Sequence, residues 1–317
     1  MAPSCRIVFM GTPEFAVPSL KALIEAGHDI PAVVTQPDRP RGRGRRLEPP
    51  PVKLAAKEHG IEVLQPSGVR EEGFMEKLKA LEPDFLAVVA YGKILPRAVL
   101  DIPAKGCINL HASLLPKYRG AAPINRAIID GEKETGVTTM LMDAGLDTGP
   151  MLLKERVAIG EEETAVELSQ RLSVVGAGLL ARTIDLLTEG RIEPEPQDAR
   201  LSTYAPALKK TDGLIDWGRS AGEVRDLVRG LYPWPGAFTR WKGKVLKIHE
   251  GRVSKGGAGG GEGARPGTIV SVDRDALGVK CAEGVFEVTS LQPENKRRMG
   301  AGDFIKGYRV TLGETFS

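Results

Sequence analysis

The sequence predicts an α/β fold, in which a doubly wound, mostly parallel sheet is followed by a small OB-like β-barrel. Short apolar runs alternate with helix-period stretches through the first half of the 317 residues. Such alternation is typical of repeated βα units with right-handed crossovers. Beyond residue 208 the pattern changes to closely spaced short strands, which favours a small barrel. The length and the 41% hydrophobic content allow each part its own core.

The first βα unit is predicted from a strand at residues 6–10, the turn Gly11-Thr12-Pro13 and a helix that ends near Gly27. Apolar residues in that helix recur at the 3.6-residue period. The almost wholly apolar run at 85–90 is typical of a parallel strand covered on both faces. The other elements expected in this half are strands at 30–35, 61–64 and 107–110 and helices at 53–59 and 71–81.

The pattern changes after Asp147. A strand is expected at 151–159 and a long helix at 164–188, followed by a stiff segment with two Glu-Pro steps. We therefore predict a first domain over residues 1–190, a linker over 191–207 and a second domain over 208–317. The glycine-rich stretch 255–267 is expected to be a flexible surface loop. The barrel strands are expected at 237–241, 245–250, 268–272, 278–281 and 285–291.

Composition excludes several classes of protein. A chain with 27% charged residues and ordinary apolar content is not wholly disordered, and no apolar run approaches the ~18 residues that span a bilayer. Cys5, Cys107 and Cys281 form no Cys-x-x-Cys pair, which argues against a disulfide framework and fits a reducing compartment. The histidines lack metal-ligand spacing, so no metal is expected. Without a secretory signal, we expect a bacterial cytoplasmic protein, and nothing demands more than a monomer.

The charge is unevenly distributed, although the net charge is only +3. Residues 208–317 hold six more basic than acidic residues, and residues 39–46 hold five arginines. Two separate basic regions indicate a polyanionic partner such as a nucleic acid. When the arginine run is considered alone, a solvated basic loop explains it at least as well.

The densest group of polar residues closes the strand expected at 107–110. Asn109 and His111 alternate, so they share one face at the carboxyl edge of a parallel sheet, where open α/β folds place their sites. An amide and an imidazole that converge on one point can donate hydrogen bonds to a developing oxyanion. On spacing alone, two incidental polar residues at a strand end are the favoured interpretation. A second group, Asp143 to Gly149, is a tight polar loop in which an Asx-rich turn competes with a calcium site.

These motifs resemble the methionyl-tRNA formyltransferase family, within the formyltetrahydrofolate-dependent formyltransferases. The resemblance spans nearly the whole chain and is carried by the segments FMGTPEFAVPSL, TQPDRPRGRGRRL, NLHASLLPKYRG, DAGLDTG and YPWPGAF. The pair NLHASLLPKYRG and DAGLDTG is typical of the broader superfamily. The arginine-rich loop and YPWPGAF point to the enzymes that act on tRNA. The long glycine-rich insertion is the main departure and affects no site residue.

The resemblance implies a Rossmann-like catalytic domain that transfers a formyl group from 10-formyltetrahydrofolate to the α-amino group of methionine on initiator tRNA, without a metal. It implies that Asn109 and His111 stabilise the oxyanion, while Asp147 orients His111 and relays a proton. The folate co-substrate is expected to lie against two segments, through main-chain groups and an apolar wall. Their residues are Tyr91, Ile94, Leu95, Ser113, Leu114, Leu115 and Pro116.

The same resemblance assigns tRNA contacts to the arginine loop and to basic residues of the second domain. These are Arg39, Arg41, Arg43, Arg45, Arg46, Lys209, Lys210, Lys296, Arg297 and Arg298. Three alternatives stay open at this point. A transferase acting on a small amine and a hydrolase releasing formate would share the Asn-His-Asp set. A non-catalytic RNA-binding protein would share only the basic regions.

Overall fold

The structure, a computed structural model, describes residues 4–41, 46–255 and 263–317. Its internal contacts divide the chain into two compact units. The first unit comprises Met1–Pro123, Glu134–Ala158 and Ser169–Ala205, and the second comprises Ile124–Lys133, Ile159–Leu168 and Pro206–Ser317. Two short segments that lie before residue 170 therefore belong to the second unit.

Strands and helices alternate through the first 188 residues. Every element predicted there is present, with its ends shifted by at most two residues. The strands are β1 (Ile7–Gly11), β2 (Ala32–Val34), β3 (Arg39–Arg41), β4 (Arg46–Glu48), β5 (Glu62–Leu64), β6 (Phe85–Val89), β7 (Cys107–His111), β8 (Glu134–Leu141) and β9 (Met151–Ala158). The helices are α1 (Val17–Glu25), α2 (Pro51–Glu58), α3 (Glu72–Ala80), α4 (Arg97–Leu100), α5 (Pro123–Ile129) and α6 (Ala165–Thr188).

Seven strands form one mixed sheet in the first unit, in the order β5-β2-β1-β6-β7-β8-β9. The first five in this order run parallel, and β8 and β9 are added antiparallel. On one face, the apolar residues of β1 and β6 pack with Phe74 and Leu78 of α3. On the other face, Gly176 of α6 lies so close to Leu110 that an added methyl group would come within 2.7 Å. Helices on both faces confirm the predicted, mostly parallel α/β sheet.

The second unit is built around an antiparallel sheet. Its strand order is β10-β11-β14-β13-β12, with β15 beside β14, and its core contains Trp217, Phe286 and Phe304. The elements are α7 (Ala221–Gly230), β10 (Ala237–Trp241), β11 (Lys244–Val253), β12 (Ile269–Val272), β13 (Leu277–Lys280), β14 (Val285–Pro293), β15 (Met299–Gly300) and α8 (Ala301–Tyr308).

The predicted OB-like barrel is not confirmed, because the edge strands β10 and β12 form no ladder with each other in the described part of the chain. Each edge bonds instead to the last residues of the chain. Arg240 exchanges both backbone hydrogen bonds with Ser317, and Ile269 N donates to Glu314 O at 2.8 Å. Of the glycine-rich stretch, residues 256–262 lie outside the described residues.

The structure adds elements that the sequence interpretation did not contain. Helix α7 begins with a capping box, in which Ser220 Oγ accepts from Glu223 N and the Glu223 carboxylate accepts from Ser220 N. This Ser-x-x-Glu signal is present in the sequence. Strand β8 was also missed, although it pairs with β7, the strand that contains Asn109 and His111.

Candidate active site

Asn109 and His111 lie at the carboxyl end of β7. Asn109 pairs with Val88 of β6 on one side, and His111 pairs with Thr138 of β8 on the other. Because the two residues alternate with Leu110, their side chains leave the sheet on the same face. His111 is only 6% exposed, whereas Asn109 is partly exposed. The arrangement places an amide with room for a ligand beside a nearly buried imidazole.

The backbone of Tyr118 determines the orientation of the His111 ring. His111 Nε2 lies 2.9 Å from the Tyr118 carbonyl oxygen. Since a carbonyl oxygen only accepts hydrogen bonds, Nε2 carries the proton and Nδ1 is the nitrogen left to act. Asp147 Oδ2 lies 3.7 Å from that Nδ1. The structure therefore gives the orienting role expected of Asp147 to the Tyr118 carbonyl, and leaves Asp147 facing Nδ1 beyond hydrogen-bond distance.

Asp147 is held by a backbone donor and by its own unusual conformation. Its Oδ2 accepts a hydrogen bond from Gly120 N at 2.8 Å, and its φ is +53°. Aspartate is among the few side chains that adopt this left-handed region readily. Gly120 has φ +116°, and a Cβ there would come within 2.8 Å of Ala205 O. The donor to Asp147 thus requires glycine at position 120.

The loop that carries Asp147 is a tight turn, as the sequence pattern indicates. Asp143 Oδ1 accepts from Gly145 N at 2.9 Å and from Thr148 Oγ1 at 2.7 Å, which makes it an Asx turn. A Cβ on Gly149 would stand 1.8 Å from Leu141 O. The two aspartates therefore have separate tasks: Asp143 shapes the loop and Asp147 faces the site.

Gln197 joins this loop to a buried arginine. Its Nε2 donates to Asp147 O at 2.9 Å and to Gly149 O at 2.7 Å. Its Oε1 accepts from Arg119 Nε at 3.0 Å and Nη2 at 2.7 Å. Arg119 is 4% exposed. Gln197 lies in the segment expected to be a linker, and sequence reasoning assigned it no role.

The same segment also fixes the backbone of the NLHASLLPKYRG motif. Thr203 Oγ1 accepts from Tyr118 N at 2.8 Å, and Thr203 O accepts from Arg119 N at 2.9 Å. Ala205 N donates to Arg119 O at 2.7 Å. Residues 191–205 therefore belong structurally to the first unit. No sequence signal pointed to these contacts, because they join residues more than 75 positions apart.

The predicted folate segment at residues 113–116 has several of its backbone groups bonded within the protein. Thr138 Oγ1 donates to Ser113 O at 2.7 Å and accepts from Leu115 N at 3.2 Å. Lys117 N donates to Leu114 O at 3.1 Å. Leu115 is buried, while the side chains of Leu114 and Pro116 are partly exposed. These contacts constrain the shape of the segment and use Ser113 O, Leu114 O and Leu115 N.

The predicted folate segment at residues 91–95 contains both buried and exposed residues. Tyr91 lies in the apolar cluster under the sheet, its hydroxyl has no hydrogen-bond partner among the described residues, and burial raises its pKa to about 12. Leu95 is 3% exposed and belongs to the same cluster. Ile94 is 80% exposed. Of the predicted apolar wall, the structure thus leaves Ile94 accessible and places Leu95 in the core.

The arginine-rich segment forms a short hairpin at its base. β3 and β4 pair antiparallel, with Arg39 opposite Glu48. Arg39 Nη2 donates to Gln36 Oε1 at 3.2 Å. Arg43 and Arg45 lie outside the described residues, and only the backbone pairing of Arg41 with Arg46 is described.

The basic residues expected to contact tRNA in the second unit differ in their engagement. Lys209, Lys210, Lys296 and Arg297 are exposed. Arg298 donates to Ser290 Oγ at 2.8 Å and forms an ion pair with Glu250. Desolvation by burial acts to lower the pKa of Arg298, but the hydrogen bond and charge of Glu250 outweigh it, so the pKa is raised. Arg298 is therefore the one of these five whose guanidinium is already shared with a carboxylate in the described structure.

Several chemistries have no support in the described ranges. No helix there is long and apolar enough to cross a membrane. No group of three or more His, Cys, Asp or Glu side chains there could hold a metal ion. All three cysteines are buried thiols, and burial raises the pKa of Cys107 to about 12 and that of Cys281 to about 11.

Comparison with known proteins gives a consistent result. The formyl transferase family model matches residues 5–184, and the model of the formyl transferase C-terminal domain matches residues 207–309. The methionyl-tRNA formyltransferase of Geotalea uraniireducens (strain Rf4) is 54% identical over 308 residues, covering 97% of this chain and 96% of its own. That of Pelotomaculum thermopropionicum is 54% identical over 318 residues, covering 98% and 100%.

Solved structures share the fold at low sequence identity. An N-formyltransferase from Helicobacter canadensis, in complex with folinic acid and dTDP-3-aminofucose, superposes with a TM-score of 0.69 at 17% identity, covering 94% of this chain and all of its own. HypX from Aquifex aeolicus, in complex with tetrahydrofolic acid, superposes with a TM-score of 0.66 at 15% identity, covering 98% of this chain and 49% of its own. From the family matches and the close relatives, the chain belongs to the formyl transferase family.

Proposed function

We propose that the protein transfers the formyl group of 10-formyltetrahydrofolate to the α-amino group of methionine on initiator tRNA. The observation that carries the proposal is the 54% identity to methionyl-tRNA formyltransferases over 97% of the chain. The site geometry supports it, because Asn109 and His111 face the same side of the sheet edge and Asp147 stands 3.7 Å from His111. The formyl donor is a co-substrate, and none of the steps below requires a covalent enzyme intermediate.

Asn109 is proposed to stabilise the tetrahedral intermediate. The amine attacks the formyl carbon, the carbonyl π bond breaks, and the oxygen becomes an oxyanion. The partly exposed Asn109 amide can donate to that oxygen with an N–H that the backbone ladder does not use. The exposed Ile94 supports the fit of the donor, since it gives an apolar contact near polar groups, as folate-sized ligands require.

His111 is proposed to carry the proton. Its Nε2 proton is bonded to Tyr118 O, so Nδ1 accepts the proton that the amine nitrogen loses once it has bonded to the formyl carbon. The imidazolium then faces the Asp147 carboxylate across 3.7 Å and the oxyanion beside it. Collapse of the intermediate breaks the bond to folate N10, and Nδ1–H returns the proton to that nitrogen. The products are formylmethionyl-tRNA and tetrahydrofolate.

The tRNA partner is proposed from the clustered basic residues and from the names of the relatives, which are methionyl-tRNA formyltransferases. The arginine hairpin and the exposed basic residues of the second unit are suited to phosphates and unpaired bases. A transferase acting on an amino sugar is the second candidate, because the Helicobacter canadensis structure holds dTDP-3-aminofucose at the same fold. Such an enzyme has no use for a segment with five arginines in eight residues.

The two candidates are separated by one assay. The purified protein is given 10-formyltetrahydrofolate with methionyl initiator tRNA, methionyl elongator tRNA or dTDP-3-aminofucose. Formylmethionine on initiator tRNA, with no product from the sugar nucleotide, is the expected result. Transfer to the sugar nucleotide with unmodified tRNA would overturn the proposal.

We also propose the finer structural and cellular assignments. The second sheet is proposed to be an OB-like barrel completed by the C-terminal residues, supported by the exchange of hydrogen bonds between Arg240 and Ser317 and by Phe316 N donating to Gly267 O at 2.8 Å. Residues 1–190 are proposed as the catalytic domain and 208–317 as the tRNA-binding domain. A location in the bacterial cytoplasm is proposed because the relatives are bacterial proteins named methionyl-tRNA formyltransferase. A monomer is also proposed.

A further inference from the structure

A nearly buried glutamine lies between the two segments that the proposed function assigns to different substrates. Gln36 follows β2 and is 8% exposed. Its Nε2 donates to Tyr91 O at 3.2 Å, and its Oε1 accepts from Arg39 Nη2 at 3.2 Å. Both ends of one side-chain amide are therefore used, one toward the proposed folate segment and one toward the arginine hairpin.

The hydrogen bonds to the Tyr91 carbonyl hold the backbone turn of the proposed folate segment. The residues on either side of Tyr91 have left-handed backbones, with φ +47° at Ala90 and +82° at Gly92. A non-glycine residue in this region is held there by its surroundings. The bonds that Tyr91 O accepts come from Gln36 and from Thr12 Oγ1 at 3.1 Å. Removing the Gln36 bond leaves Thr12 to hold the turn.

The position of Gln36 is itself fixed by a polar network. Gln65 Nε2 donates to Gln36 O at 2.9 Å and to Asp38 Oδ1 at 2.8 Å. Lys53 Nζ donates to Asp38 Oδ1 at 2.8 Å and to Gln65 Oε1 at 2.7 Å. The hydrogen bonds from Lys53, and then from Gln65, lower the pKa of Asp38. Because the backbone of Gln36 is held by Gln65, a displacement of Arg39 moves the side-chain amide of Gln36 and changes its hydrogen bond to Tyr91 O.

We propose that Gln36 is a positioning residue that couples the arginine hairpin to the formyl-donor segment. Binding of tRNA to the hairpin sets Arg39, Arg39 orients the Gln36 amide, and the amide holds the Tyr91 turn in the form that binds the donor. This inference rests on the proposed function. By linkage, the donor must raise tRNA affinity by the same factor as tRNA raises donor affinity.

Two substitutions at position 36 separate the two contacts. At pH 8, the carboxylate of Gln36→Glu still accepts from Arg39 but cannot donate to Tyr91 O. We expect KM for 10-formyltetrahydrofolate at saturating tRNA to rise about three- to tenfold, which is the loss of roughly one hydrogen bond, while the dissociation constant of methionyl-tRNA measured without the donor is unchanged. Gln36→Leu has similar volume and makes neither contact, so both constants should rise. Gln170→Glu, an exposed change on α6, is the matched control.

The outcomes are distinguishable from failure of the proposed function, because the wild-type protein must first formylate methionyl-tRNA in the same assay. Equal effects of the two substitutions on both constants, or an effect on kcat alone, would overturn the coupling role. If Gln36→Glu does not fold, as judged by its thermal transition, Arg39→Ala is used instead. This change at an exposed residue removes the other contact of the Gln36 amide. Tetrahydrofolate affinity is then measured with and without tRNA. Loss of the tRNA-dependent gain is expected in Arg39→Ala, and an unchanged gain would refute the proposal.

Discussion

Replacement of Gln197 by leucine is predicted to destabilise the first unit and to slow formyl transfer at the same time. The side chain makes four hydrogen bonds, two from the Arg119 guanidinium and two to the carbonyls of Asp147 and Gly149. Leucine has nearly the same volume, so little cavity forms. Its apolar atoms leave the Arg119 charge and both carbonyls without these partners.

The size of the effect follows from the burial of Arg119, which is 4% exposed. Leaving a buried polar group without its hydrogen-bond partner costs about 1–3 kcal/mol, and more when the group is charged. The Asp147 carbonyl also loses its donor, which leaves the hydrogen bond from Gly120 N to hold the carboxylate that faces His111. A misplacement near 1 Å lowers turnover about a hundredfold. Urea unfolding and the steady-state formylation rate measure the two effects separately.

A second substitution separates charge pairing from loop positioning. Gln197→Glu keeps an acceptor for Arg119 but loses both N–H donors to the loop, so we expect a loss of about 1–3 kcal/mol in stability with a similar loss of turnover. Gln170→Leu on the exposed side of α6 serves as the control. A Gln197→Leu protein that unfolds within 1 kcal/mol of the wild type and keeps its turnover would refute this account of the loop.

Three further predictions concern stability. Tyr91→Phe removes a buried hydroxyl with no described partner, so the unfolding free energy should rise by about 1 kcal/mol in urea, and a decrease would mean that the hydroxyl is bonded. Gly149→Ala places a Cβ 1.8 Å from Leu141 O and should lower stability by about 3 kcal/mol or more, measured as the thermal midpoint. Burial lowers the pKa of His28, so its contribution is present above about pH 6.5 and is lost as the pH falls below that value. His28→Gln should therefore reduce the difference in urea midpoint between pH 7 and pH 5, and an unchanged difference would contradict the assignment.

Those elements of the first unit that were predicted are each a local pattern. The apolar run of β6 and the helical period of α6 are visible in single windows of sequence, and both appear where expected. The alternation of Asn109 with His111 likewise needs only the geometry of a strand. The tight turn around Asp143 follows from its Asx and glycine residues.

What could not be predicted depends on contacts between distant parts of the chain. A segment with two Glu-Pro steps is locally indistinguishable from a linker, yet Gln197 within it bonds to residues near 119 and 147. The proton position on His111 depends on the Tyr118 carbonyl, which a turn brings back to the ring. That β10 and β12 form no ladder within the described residues is likewise a property of the assembled sheet. Helix α7 is a different case, since its capping box was present in the sequence.

The central claim is that the side chains at the end of β7 perform formyl transfer to methionyl-tRNA. It is tested most directly by the single-turnover rate of Asn109→Ala at saturating 10-formyltetrahydrofolate and methionyl initiator tRNA, with the tRNA dissociation constant measured in parallel. The account predicts a rate lower by about 10²- to 10³-fold with unchanged tRNA affinity, because one oxyanion donor is lost. A rate within about threefold of the wild type, which is under ~1 kcal/mol of barrier, would contradict it.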